Sequence, residues 1–195
     1  MRRTLMMAVV MLLTLTTVTS PALAEPTPQI PDRVLLQPQD LHGAEPEPVE
    51  ADLAYSLLPQ PCVDSPVPRP LASRSLAANY SDRYRIYQNV ALYPPGGARG
   101  YLDVLKEQLD RCGVGGGEAG YDPVAVDHIG PDTALFLKTH DEGDRWVAYV
   151  AAAVDDYVIV TLVADRTPLQ AGDPTLANEL TLTTLRRAAE GGCTR

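Results

Sequence analysis

Aromatic residues other than tyrosine are nearly missing: the 195 residues hold one Phe (Phe136) and one Trp (Trp146) beside nine Tyr. A core must therefore be built from aliphatic side chains and from tyrosine rings, whose hydroxyls need partners or water. Cysteine is scarce as well. Only Cys62, Cys112 and Cys193 occur, no C-x-x-C pair is present, and His42, His128 and His140 lie far apart. These spacings exclude the common zinc frameworks, and no metal or cofactor is expected. Basic residues number 16 against 25 acidic, scattered singly or in pairs such as Arg186-Arg187. The clustered cations that grip a phosphate backbone are lacking, so nucleic acid is not an expected partner. No G-x-S-x-G, no G-K-[ST] loop and no repeat of 20 to 50 residues occurs, which removes hydrolase elbows, P-loops, solenoids and propellers.

Long apolar runs are absent too. The longest candidate, Leu5 to Val18, follows Arg2 and Arg3 and contains Thr14, Thr16 and Thr17, falling short of the roughly 20 apolar residues that cross a bilayer. With the small-residue site Ala22-Leu23-Ala24 behind it, the run reads as a secretory signal peptide over residues 1–24, cleaved between Ala24 and Glu25. Secretion without stable membrane insertion follows. Removal of this segment takes two arginines and no acid, moving the formal charge from −9 to −11. That charge serves solubility outside the cell.

What is abundant is proline. Eleven of the 18 fall between Pro26 and Pro70, so residues 25–33 read as a flexible leader and the stretch from Ala44 to Pro70 as an irregular wrap, with Leu53, Tyr55, Leu57 and Leu58 as its contact points. Between them Val34-Leu35-Leu36 and the turn Gln37 to Leu41 offer the first apolar anchor. A single domain is expected over residues 34–195. Its first regular element is a strand over Tyr84 to Tyr93, where Tyr84, Ile86, Val90 and Leu92 alternate on one face. Tyr101, Leu102, Leu105, Leu109 and Cys112 recur at helical spacing, predicting a helix over 98–112 ended by Gly113, after which the glycines of 113–117 form a flexible connection. Strands then follow over Ala134 to Thr139, Trp146 to Val154 and Tyr157 to Ala164, preceded by a weaker one over Val124 to Ile129. Asp141 to Asp144 and Asp155-Asp156 carry the turn chemistry of hairpins. Asp173 caps a last helix that opens at Pro174 and turns Leu176, Leu180 and Leu185 inward as far as Gly191-Gly192. The expectation is an α+β fold: an antiparallel sheet of four to five strands, two helices on one face, and an irregular Pro-rich N-terminal wrap.

Several of these residues carry a family resemblance. Leu35-Leu36-Gln37-Pro38-Gln39-Asp40-Leu41 is similar to the LL-x-x-x-D-L opening of PknH-like extracellular sensor domains of actinobacteria. Pro61-Cys62, the strand at Tyr84, the helix end Leu109-Asp110-Arg111-Cys112 and the run Val154 to Val160 follow in the same order. The resemblance covers roughly residues 34–190. It implies an α+β extracellular domain with a cleft and stabilising disulfides, whose role is ligand sensing and not catalysis. The chain departs from the family in having too few cysteines for two disulfides.

In an oxidising compartment the three cysteines make one disulfide the default. The favoured pair is Cys62 with Cys112, tying the wrap to the end of the first helix and leaving Cys193 as a free or intermolecular thiol; Cys112 with Cys193 is the rival. Catalytic chemistry is thin. The serines Ser56, Ser65, Ser73, Ser75 and Ser81 sit in proline- or turn-rich context, and Asp127-His128 and His140-Asp141 are adjacent pairs whose side chains diverge in an extended chain. Asp141, Glu142 and Asp144 supply too few oxygens for a calcium loop. The expected ligand wall is the polar face of the Tyr84 strand, where Arg85, Tyr87, Asn89 and Tyr93 offer a cation, two amphipathic rings and an amide to a polar carbohydrate-like or peptide ligand. The leading function is thus a secreted, non-enzymatic module binding a polar extracellular ligand or envelope component. The alternatives are a small secreted hydrolase and an envelope-associated structural or inhibitor protein.

Overall fold

A computed structural model describes residues 28–49, 57–62, 64, 66–112, 120–130, 132–140, 145–167 and 170–192, with Thr139, His140, Arg145, Trp146, Gly191 and Gly192 placed by backbone only. The described chain opens with two 3-10 turns, Asp32–Val34 and Pro38–Leu41, followed by strands β1 (Glu47–Pro48), β2 (Ala72–Asn79) and β3 (Tyr84–Leu92). Helix α1 (Gly97–Cys112) leads to β4 (Tyr121–Val126), β5 (Thr133–His140), β6 (Arg145–Val154) and β7 (Tyr157–Asp165), and helix α2 (Pro174–Gly192) ends it. Asp173 caps α2 as its sequence position requires, accepting bonds from the N–H groups of Thr175 (2.9 Å) and Leu176 (3.2 Å). Gly113, the glycine run, Leu53, Tyr55, residues 141–144 and Cys193 lie outside the described residues.

All seven strands form one antiparallel sheet in the order β1-β2-β3-β7-β6-β5-β4. The meander β4 to β7 returns its last strand to the side of β3, so β3 is internal. The expected four to five strands become seven because β1 and β2 precede the Tyr84 strand. β2 reads Ala-Ser-Arg-Ser-Leu-Ala-Ala-Asn, with too little contrast between its faces for period-two detection.

The expectation of both helices on one face is corrected. Even-numbered residues of β6, Ala148 and Val150, join Ile86, Val90, Ile159 and Val163 in a core closed by Leu176, Ala177, Leu180 and Ala188 of α2. Odd-numbered Val147, Tyr149 and Ala151 join Val158, Val160 and Leu162 in a second core closed by Ala98, Tyr101, Leu102, Leu105 and Leu109 of α1. The helices cover opposite faces and the sheet is sandwiched between them. The physical reason stands in β7, whose residues from Val158 to Asp165 are all buried. A run without polar alternation is the pattern of a strand covered on both sides, and one helical layer cannot satisfy it.

The N-terminal segment packs into the α2-side core. Ile30, four residues ahead of the boundary read from sequence, is buried together with Val34, Leu35, Leu36 and Leu41. Across the sheet, the 57–62 segment is fastened over α1. The Cys62–Cys112 disulfide is present with Cα atoms 5.7 Å apart. The buried Gln108 accepts the Cys62 N–H at 3.2 Å and the Tyr101 hydroxyl donates to the Pro59 carbonyl at 3.0 Å.

Candidate functional site

The ligand wall read from sequence is not an open surface. Odd-numbered residues of β3 lie on the face covered by α1, Leu57, Leu58 and Val67. Tyr93 is 1% exposed and stands 5.8 Å, ring to ring, from Tyr101. Burial pushes its hydroxyl up to about 12. Asn89 is 2% exposed, donating to the Leu57 carbonyl at 3.1 Å and accepting from Ser73 at 2.6 Å. The Asn89 bond holds the wrap down at Leu57, while Tyr93 packs against α1. Arg85 and Tyr87 are half-buried: the Arg85 guanidinium lies 5.4 Å above the Tyr87 ring and donates to Glu47 (2.7 Å) and Asn79 (3.2 Å). The strand has no free edge either, since β2 and β7 pair along its two sides. The face opposite Ile86 is covered because α1 packs on it while α2 takes the Ile86 side.

The Asp127-His128 pair lies not in an extended chain but in a bend just past β4, with Asp127 at φ 53°, and its two side chains part there. The Asp127 carboxylate bonds Lys106 of α1 at 2.5 Å, a contact that holds it below the usual carboxylate range. His128 Nε2 bonds Asn178 of α2 at 2.7 Å. The two side chains engage opposite layers of the sandwich, Asp127 on α1 and His128 on α2. Among the described residues no group of three or more His, Cys, Asp or Glu side chains is placed to hold a metal ion.

A groove of about 390 Å³ opens instead where the N-terminal turns meet the outer edge of the sheet. Its floor is Leu35, Leu36 and Leu76, and its rim carries Asp32, Gln37, Arg74 and Glu47 between Pro46 and Pro48. The sequence builds it in three steps. First, the capping of the Pro38–Leu41 turn fixes the chain: the Gln37 N–H donates to the Asp40 carboxylate at 2.8 Å, while the Gln37 amide donates to the carbonyls of Asp32 (2.7 Å) and Leu35 (2.9 Å). Second, the segment is bolted to the fold. The Leu36 N–H donates to the buried amide of Gln88 at 2.8 Å, and Arg187 of α2 bonds Asp40 (2.5 Å) and the Leu35 carbonyl (3.2 Å). Third, β1 pairs β2 only at Leu76 and Ala77 and stops at Pro48. Among the described residues no strand pairs with Ala72 to Ser75 on that side, so alternate residues there turn their N–H and C=O groups toward the groove's side of the sheet.

Arg74 holds the rim together, donating to Asp32 at 2.5 Å and to the Ile30 carbonyl at 3.0 Å. The Asp32 side chain is 85% exposed and the Glu47 side chain 52%. Neither Asp32, Arg74 nor Glu47 was singled out from sequence. Their meeting depends on contacts across 42 and 38 residues, and the one local hint was the cation of Arg74 in an otherwise small-residue stretch.

No family model matches this chain, and no curated protein sequence does. Among solved structures, the extracellular domain of PknH from Mycobacterium tuberculosis has a distant structural resemblance to it, with a TM-score of 0.45 and 13% identity. The match spans 60% of this chain and 64% of that one, under two thirds of the neighbour's length.

Proposed function

We propose that the chain is a secreted binding module, acting by recognition and not by catalysis, whose groove beside β1 and β2 takes a polar extracellular ligand. The observation that carries this reading is the convergence of three features at one place. An apolar floor, two ion pairs and two prolines flanking Glu47 meet there in a concavity of ligand size. Secretion is supported by the signal-peptide pattern of residues 1–24 and by a disulfide that requires an oxidising compartment. Against the hydrolase alternative stands the divergence of Asp127 and His128 into separate layers. Of the wall expected from sequence, Arg85 stays in the proposal as the residue that positions Glu47 at the rim, with Tyr87 supporting its guanidinium. Asn89 and Tyr93 fall to packing.

The test is native mass spectrometry of the protein recovered from its own culture supernatant, beside an Arg74→Ala variant. The expected result is a mature chain beginning at Glu25 with a co-purifying molecule that the variant loses, while its melting temperature moves by no more than about 2 °C, the order of an exposed ion pair. Retention of the molecule by Arg74→Ala would remove the groove from the site.

A further inference from the structure

Residues 57–62 are held by side chains that read their backbone. Asn89 of β3 donates to the Leu57 carbonyl at 3.1 Å, Tyr101 of α1 donates to the Pro59 carbonyl at 3.0 Å, and Gln108, about two turns further along α1, accepts the Cys62 N–H at 3.2 Å. All three side chains are buried. Leu57 and Leu58 pack on the α1-side core, which includes Tyr93 and Tyr101, and Pro59 and Pro61 are buried as well. Recognition of main-chain groups over a tyrosine-bearing apolar layer is how proline-rich peptides are bound between molecules. Pro59 and Pro61 fix their own φ and bias Leu58 and Gln60 away from helix, so such a segment has little conformational freedom to lose on docking.

The layer beneath offers more than this segment uses. The Tyr93 ring stands 5.8 Å from that of Tyr101, and its buried hydroxyl has no hydrogen-bond partner among the described residues. A buried donor left without an acceptor is costly, so a peptide that supplied one would fit the layer better than the resident chain does. What holds the resident chain in place is a covalent latch. The Cys62–Cys112 disulfide joins the segment to the last residue of α1, with Cys62 buried and Cys112 half-buried.

The groove beside β1 and β2 lies across the sheet and has no part in this. We infer that the layer formed by Asn89, Tyr93, Tyr101 and Gln108 is a second binding site, for an extended proline-containing peptide, which the chain's own residues 57–62 fill while the disulfide is closed. Opening it takes a dithiol reductant. One thiolate of the dithiol attacks Sγ of Cys112, forming a mixed disulfide, and Cys62 leaves as a thiolate that takes up a proton. The second thiol then displaces Cys112, so that a pair of electrons passes to the protein, both cysteines end as thiols and the reductant ends as a disulfide. With the latch closed, a peptide in solution competes against a covalently held segment and is excluded. With the latch open, the segment keeps only its bonds to Asn89, Tyr101 and Gln108 and its apolar contacts, and a peptide of the same chemistry displaces it.

The experiment uses the isotope-labelled mature chain and a capped hexapeptide, Leu-Leu-Pro-Gln-Pro-Ser, which copies residues 57–62 with serine for cysteine, beside the same peptide with glycine for both prolines. Hydrogen exchange at the Cys62 N–H, the donor to Gln108, is read first. Cleavage by dithiothreitol is expected to speed it at least roughly tenfold while the amides of Leu102, Leu105 and β3 keep their protection. Binding is read next on the combined variant Pro59→Gly, Pro61→Gly, Cys62→Ser, Cys112→Ser, whose own segment grips the layer less. The proline peptide is expected to shift Tyr93 and Gln108, the glycine peptide to bind at least roughly tenfold more weakly, and the oxidised parent to show neither shift. The reduced parent poses the same question without substitutions: there the proline peptide is expected to speed Cys62 exchange further by displacing the segment. A Cys62 amide still protected after cleavage, or loosening that spreads at once through α1 and β3, makes the segment an inseparable part of the core and refutes the site. Equal binding of the two peptides, or no effect of the proline peptide on the reduced parent, refutes it as well, and shifts at Tyr93 in the oxidised parent refute the latch.

Discussion

Gln88 is the buried amide on which the N-terminal segment hangs. It is fully buried on the α2 side of β3; its Oε1 accepts the Leu36 N–H at 2.8 Å and its Nε2 donates to the Thr184 hydroxyl at 2.8 Å. Gln88→Leu keeps the volume and removes both bonds. Thr184 retains the Leu180 carbonyl at 3.2 Å as a partner, so its hydroxyl is not stranded. The Leu36 N–H has no such alternative, and a buried unsatisfied donor costs about 1–3 kcal/mol. The gain from burying leucine in place of an amide offsets part of this, leaving a net loss of about 1–2 kcal/mol and a fall in melting temperature of about 2–8 °C for a chain of this size. The loss is local in origin, so the Leu36 and Leu41 amides should lose protection against hydrogen exchange before those of β6 and β7. Urea unfolding gives the first number and residue-resolved exchange the second. A Gln88→Leu variant as stable as the parent, with Leu36 protection unchanged, would refute the claim that this bond anchors the groove's floor.

Three further outcomes follow from named contacts. A Cβ added at Gly172 would lie 1.9 Å from the Val163 carbonyl oxygen and 2.8 Å from the Ala148 nitrogen, both backbone atoms of the paired β6 and β7. Gly172→Ala should therefore cost about 3 kcal/mol or more in thermal unfolding, and a cost under 1 kcal/mol would mean that this approach is not tight. Replacing Cys62 and Cys112 together with Ser opens a loop with a sequence separation of 50 residues; the chain-entropy model gives a loss of about 4 kcal/mol, read by denaturant titration, and a loss confined to the 57–62 segment would show only as local exchange. Burial alone would raise the Asp165 carboxyl, but the Thr167 N–H at 2.7 Å and Arg83 at 2.7 Å outweigh it and hold the group below the usual range. Its stabilising contribution is present above the unfolded value of about 4 and is lost as pH falls through the lowered folded value. Asp165→Asn should then be less stable than the parent at pH 7 and converge with it as pH falls through that lowered value, whereas parallel stability curves would contradict the assignment.

Much of this architecture is legible in the chain. The helix read over 98–112 is Gly97–Cys112, the last three strands of the meander fall within a residue or two of their expected ends while the strand expected over Val124 to Ile129 lies three residues earlier at Tyr121–Val126, and the Asp173-Pro174 start of α2 needs only its cap chemistry to be seen. These elements carry strong local signals: helical spacing of leucines, an N-cap followed by proline, and turn residues between apolar runs. The second layer was legible also, because the unbroken apolar run of β7 already demands cover on both faces. That run, set beside the alternation in β3, requires a helix on each face and so places Asn89 and Tyr93 under cover. β2 lacked contrast, and the groove it borders lacked any local sign, being the product of where one ladder ends and another segment folds back.

The first apolar anchor serves attachment and groove together. Leu35, Leu36 and Leu41 enter the α2-side core, while Asp40 closes the capping box and receives Arg187. Leu35 and Leu36 are also the groove's floor, and Gln37 both lines the groove and caps the turn. Only at the exposed rim residues Asp32 and Glu47 does a change alter what the groove presents without touching the core. It also ties ligand and fold together. A ligand seated against Leu36 rests on a floor suspended from Gln88 and Arg187, so occupancy and the integrity of the anchor must be thermodynamically linked. Such a ligand raises the free energy needed to open the N-terminal segment, and Gln88→Leu, by loosening the floor residue Leu36 from beneath, should weaken its binding. If the variant loses Leu36 protection yet keeps the co-purifying molecule as fully as the parent, the floor is not part of the site.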